Sequence, residues 1–136
     1  MVAKRLSVPF LSVAVIVALL FVSAIQAHAA SVYYSSSNFS YGVYLGGSNP
    51  TTFNLDGTAH FTTTQSAVYS GDPTGVKYQI RDNAWGTDPV YKSTSLYGQH
   101  SGYTVRVDGP TGYHNAYLRN AYSTDTPQKA HGYFSY

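Results

Sequence analysis

The stretch Arg81-Asp82-Asn83-Ala84-Trp85-Gly86-Thr87-Asp88-Pro89 concentrates side chains suited to holding a ligand, and it carries the only tryptophan of the chain. An indole flanked by Asp82, Asn83 and Asp88 offers a flat apolar surface to the CH face of a sugar, with an amide and carboxylates to take its hydroxyls. The competing use of Trp85 is as a plug over the open end of a β-structure, where its volume serves the core. The same oxygens suit calcium less well, because their spacing matches no EF-hand loop and the chain contains no Glu to close one.

Catalytic chemistry finds little support. His60, His100, His114 and His131 include no closely spaced pair, and without Cys or Glu there is no familiar zinc-ligand pattern and no cofactor is implied. His60 and His114 are expected on the solvent faces of strands, and His100 and His131 in glycine-flanked loops. Ser, His and Asp are all present, yet no Gly-x-Ser-x-Gly elbow marks a nucleophile. The residues read as a non-enzymatic protein.

The elements that must position this loop follow from the periodicity, which is two throughout. Val76-Lys77-Tyr78-Gln79-Ile80-Arg81 and Tyr103-Thr104-Val105-Arg106-Val107-Asp108 alternate apolar and polar side chains, as half-buried strands do. Ala59, Phe61 and Thr63 share one face opposite Thr58, His60 and Thr62, and Tyr41, Val43 and Leu45 share another. Further strands are expected over 32–36, 51–55, 66–70, 91–97, 113–119 and 132–136. Tyr33 and Tyr34 must point to opposite faces, leaving at least one open to solvent, while the aromatics of 133–136 are expected between two layers.

Turn chemistry separates these runs at 46–50, 71–75, 108–112 and 124–127, with Asp56-Gly57 expected as a tight hairpin. The fold class that results is all-β: an antiparallel β-sandwich of about seven to nine short strands. With 14 Tyr in the chain and few aliphatic residues after position 30, the interior is expected to be rich in tyrosine.

Before this domain, Lys4 and Arg5 precede an apolar run from Phe10 to Ile25 broken only by Ser12 and Ser23, followed by Ala27-His28-Ala29. That is the layout of a secretory signal helix cleaved after Ala29, giving a signal peptide over 1–29 and a β-domain over 30–136. Left uncut, the same run is long enough to anchor the chain in a bilayer. A secreted, extracellular chain without cysteine is free of disulfides, a bacterial rather than a eukaryotic habit for small exported domains.

Cleavage also removes the charge imbalance. The formal charge of the whole chain is +2, and Lys4 and Arg5 account for it. Beyond them Lys77, Arg81, Lys92, Arg106, Arg119 and Lys129 balance Asp56, Asp72, Asp82, Asp88, Asp108 and Asp125. A neutral domain with no basic run lacks the footprint for nucleic acid or for an anionic membrane surface. Its solubility rests on Ser and Thr hydroxyls and on amides, which suits a neutral glycan or another cell-surface component.

In its export signal, small size and aromatic C-terminal strand the chain is similar to small exported bacterial β-sandwich proteins, including secreted antibacterial peptides of the lactococcin type. That resemblance implies an antibacterial or toxin-like factor as the alternative to a glycan binder. Edge strands with few charges, such as 51–55, raise a third reading, a matrix or coat protein that self-associates.

Overall fold

The alternating runs become seven antiparallel strands in the computed structural model, which describes residues 30–46, 51–82 and 89–136. They are β1 (Ser31–Phe39), β2 (Gly42–Tyr44), β3 (Thr52–Ala67), β4 (Gly75–Asp82), β5 (Val90–Tyr97), β6 (His100–Asn120) and β7 (Gln128–Ser135). They hydrogen-bond in the order β1-β7-β3-β6-β4-β5, with β2 added to β6. The signal-helix segment 1–29 lies outside the described residues.

Two turn signals are bends inside long strands. Asp56-Gly57 makes no hairpin; β3 continues through it, 16 residues long. Asp108 to Gly112 likewise falls within the 21-residue β6. The two sites face each other: Asp56 pairs with Thr111 and Thr58 with Asp108, so β6 carries one extra residue there. Gly57 (φ 120°) and Gly109 (φ 102°) supply the left-handed backbone of this bulge. Both strands bend at one level, and the sheet turns over on itself.

The extra residue also reverses the side-chain phase of β6. Val105 and Val107 point inward before the bulge, and His114, Ala116 and Leu118 after it. His114 is therefore buried, and Tyr113 takes the solvent position. The expectation that His114 faces solvent is corrected, because a bulge shifts the period-two pattern by one residue. Tyr41 likewise does not share the inward face of Leu45: it precedes β2 and is exposed, with Val43 partly buried against the core. The expected strand at 66–70 survives only to Ala67, where β3 ends.

Folding over brings together strands that are not neighbours in the sheet. Tyr78 of β4 packs against Phe61 of β3 with ring centroids 5.1 Å apart, although β6 lies between these strands in the hydrogen-bonded order. Phe61 also meets Phe134 at 4.8 Å, and Phe134 meets Phe53 at the same distance. Such tilted contacts suit the aromatic quadrupole. From β5 the Thr94 hydroxyl donates to the Arg106 carbonyl at 3.3 Å, drawing the far edge back toward β6.

The core is not made of tyrosine. Tyr34 and Tyr78 alone of the 14 Tyr are buried, three are half-buried and nine are exposed. Phe, Leu, Val, Ile and Ala fill the interior instead. A buried phenol needs a hydrogen-bond partner, and both interior tyrosines have one. The Tyr78 hydroxyl lies 2.8 Å from Thr63 Oγ1 and 2.7 Å from Gln65 Oε1, and Tyr34 donates to the Thr62 carbonyl at 3.4 Å. Gln65 Nε2 in turn donates to the carbonyls of Leu96 and Gly98, both at 2.9 Å. The other phenols are left for the surface.

Candidate functional site

Of the four residues expected to hold a ligand, Asp82 is described; Asn83, Trp85 and Asp88 lie outside the described residues. Asp82 ends β4, where its N–H donates to the Pro89 carbonyl at 3.0 Å and closes the base of the loop. Directly across the ladder stands His114, whose Nδ1 is 3.3 Å from the Asp82 carboxylate. His114 Nε2 lies 2.8 Å from the Thr111 carbonyl. A carbonyl only accepts, so Nε2 carries a proton and donates it.

That leaves Nδ1 buried and, though close to Asp82, without an aligned hydrogen bond. The two atoms are close but too poorly directed to form a hydrogen bond. Tyr91 covers the imidazole with its ring centroid at 4.9 Å. Asp82 and His114 thus stand side by side at the end of β4, next in sequence to residues 83–88. Among the described residues no group of three or more His, Cys, Asp or Glu side chains could hold a metal ion.

A larger constellation lies on the outer face of β1, β7, β3 and β6. Tyr33 pairs with Tyr133, Tyr133 with Thr62, and Thr62 with Thr104, so one row of side chains crosses four strands. Tyr33 and Tyr133 are 56% and 53% exposed, with ring centroids 5.4 Å apart in an edge-on arrangement. Thr62 and Thr104 hydroxyls meet at 3.3 Å. In the next row Thr64 Oγ1 accepts the Gly102 N–H at 3.1 Å, beside His131.

Between the rows lies a shallow depression of about 180 Å³ lined by Tyr33, Thr62, Thr64, Gly102, His131 and Tyr133. Gly132 makes its floor possible. A methyl group at that position would overlap the Thr62 carbonyl oxygen, so β7 can lie this close to β3 only without a side chain there. The platform thus offers two fixed phenol rings and a line of hydroxyls, with no charged side chain in its lining. Arg106, one row away, is neutralised by Asp108.

Sequence reasoning reached parts of this site. The outward phase of Thr58, His60 and Thr62 and the divergence of Tyr33 from Tyr34 are both as expected. Phe134 enters the core while Tyr133 faces out, so the last strand is not enclosed on both faces. Missing was the pairing of the first strand with the last, because nothing local in either segment specifies a partner about a hundred residues away. Comparison with family models, with curated proteins and with solved structures gave no match to this chain.

Proposed function

We propose that this chain is a small exported bacterial protein that works without catalysis, holding neutral polysaccharide or related cell-envelope material on the Tyr33–Tyr133–Thr62–Thr104 face. The observation that carries this reading is the row itself: two exposed phenols in register with a line of hydroxyls. Neutral glycans present apolar CH faces and many hydroxyls without charge, and this face presents their complements. The sheet folded over on itself is read as a β-sandwich with this platform on one outer layer. The Trp85 segment, which follows Asp82 in the sequence, is the second candidate contact region.

Retention of the full chain on insoluble neutral glycans, with soluble dextran as competitor, tests the proposal. Each of Tyr33→Ala and Tyr133→Ala is expected to weaken binding about fivefold, as the loss of one aromatic contact of roughly 1 kcal/mol implies. Melting temperature should move little, since both rings are exposed. Equal retention of the double variant and the parent protein would remove the platform from the account. Binding that survives Trp85→Ala would remove the loop and leave the platform as the sole contact.

A further inference from the structure

On the opposite layer, Lys77 of β4 stands directly across the ladder from Arg119 of β6. Val76, Tyr78 and Leu118 beside them are buried, so both cations project from the outer face. Like charges placed directly opposite destabilise a sheet. Neither side chain has an ion pair or hydrogen bond among the described residues, where the Lys/Arg–Asp ion pair is Arg106–Asp108.

A third cation shares this face. Arg81 is held in place by donating to Gln79 Oε1 at 3.0 and 3.2 Å, with its guanidinium 3.7 Å from the Tyr117 ring centroid. Among the described residues no carboxylate pairs with the three: Asp82 lies against His114, and Asp125 lies in an exposed turn. In a domain whose charges sum to zero beyond the leader, this is a segregated positive patch.

The pair borders a cleft of about 220 Å³ lined by Ser40, Tyr41, Lys77, Arg119, Tyr122 and Ser123. Its walls are pinned from beneath by buried Asn120. The Asn120 backbone N–H donates to the Tyr41 carbonyl at 2.8 Å, and its Oδ1 accepts the Tyr122 N–H at 2.9 Å. Its Nδ2 reaches the carbonyls of Ser40, Ser123 and Thr126 at 2.9 to 3.0 Å, sharing two hydrogens among three acceptors. The cleft is therefore shaped before any ligand arrives.

We infer that the Lys77–Arg119 cleft binds the carboxylate of an acidic sugar residue within a polysaccharide. An ammonium and a guanidinium facing each other match one oxyanion, and its arrival turns their repulsion into attraction. Tyr41 and Tyr122 flank the cations with exposed rings for the sugar's CH face, and Ser40 and Ser123 line the same cleft with hydroxyl-bearing side chains. A duplex nucleic acid is a poorer fit, because it needs a stripe of cations and this is an isolated set. The inference rests on the polysaccharide reading above but uses a different face and different residues.

Affinity electrophoresis of the full chain through gels containing polygalacturonate, neutral dextran or duplex DNA tests it. Polygalacturonate should retard the protein, and retardation should fall in about 0.5 M salt as the charges are screened. Lys77→Gln and Arg119→Gln should each weaken this binding at least tenfold. Without ligand, both variants should melt no lower than the parent protein, because each removes a repulsion. A merely structural pair would instead lower the melting temperature. No retardation by polygalacturonate, undiminished retardation of both variants, or equal retardation by DNA would overturn the inference. The Tyr33→Ala, Tyr133→Ala double variant should keep the acidic-glycan binding, so failure of the neutral platform and failure of this cleft are told apart.

Discussion

Gly132→Ala should abolish the fold at ordinary temperatures, with a loss of about 4 kcal/mol or more, at the upper end for single substitutions. The added methyl would meet the carbonyl oxygen of Thr62, a backbone atom of the neighbouring strand that no rotamer change can move aside. Relief requires β7 to withdraw from β3. Gly132 pairs with Tyr34 on one side and Thr63 on the other, so withdrawal breaks two ladders and exposes Phe134. Gly112→Ala provides the contrast. It has open space around its Cβ position, and its φ of 88° makes the left-handed backbone the only penalty, about 1–2 kcal/mol. Urea unfolding of the two variants measures the difference. Equal losses would show that crowding against Thr62 is not what requires glycine at 132. The same substitution should remove neutral-glycan binding, because Tyr133 holds its register opposite Tyr33 and Thr62 only while β7 is in place.

Where side-chain alternation is uninterrupted, the strands could be read directly. Val76, Tyr78 and Ile80 are buried in the phase that the alternation of β4 demands, and so are Ala59, Phe61 and Thr63 in β3. The alternation is enforced by burial of one face, and that is a local property of each strand. The failures cluster at glycines. Asp56-Gly57 and Asp108 to Gly112 have the composition of turns because a bulge asks for the same left-handed backbone as a turn. Only the partner strand decides which of the two forms. Once β6 gains its extra residue, every later side chain changes sides, and His114 moves inward with Tyr113 left outside. The tyrosines were misplaced for a different reason. Apolar count alone suggested that they fill the core, but each buried phenol demands a partner, and such partners are supplied at Tyr34 and Tyr78. The candidate sites were hidden more deeply still. Both the phenol row and the Lys77–Arg119 pair exist only through long-range strand register.

Alkaline pH should unfold this protein cooperatively, and the two buried phenols set where. Burial pushes the Tyr34 hydroxyl from 10.0 up to about 12, partly offset by a hydrogen bond to Thr63. Tyr78 is pushed further in the same direction, again chiefly by burial. Each phenol therefore holds its proton more tightly folded than unfolded. That stabilisation is complete below pH 10, where both states keep the proton, and is lost as pH rises toward the folded value. A tenfold change in proton affinity is worth about 1.4 kcal/mol, so Tyr34 alone removes roughly 2 kcal/mol between pH 10 and 12. Tyr78 adds a loss of the same sign, and together they rival the whole stability of a small domain, about 5–15 kcal/mol. Near-ultraviolet absorbance and circular dichroism, followed from pH 8 to 12.5, should show late ionisation of a minority of phenols coinciding with loss of β-structure. Tyr34→Phe should flatten the upper part of this limb and carry the midpoint upward. Tyr78→Phe should do the same at a cost below pH 10, because Gln65 Oε1 and Thr63 lose a buried partner worth about 1–3 kcal/mol. If the transition keeps its midpoint in both variants, ionisation of these two hydroxyls is not what opens the core.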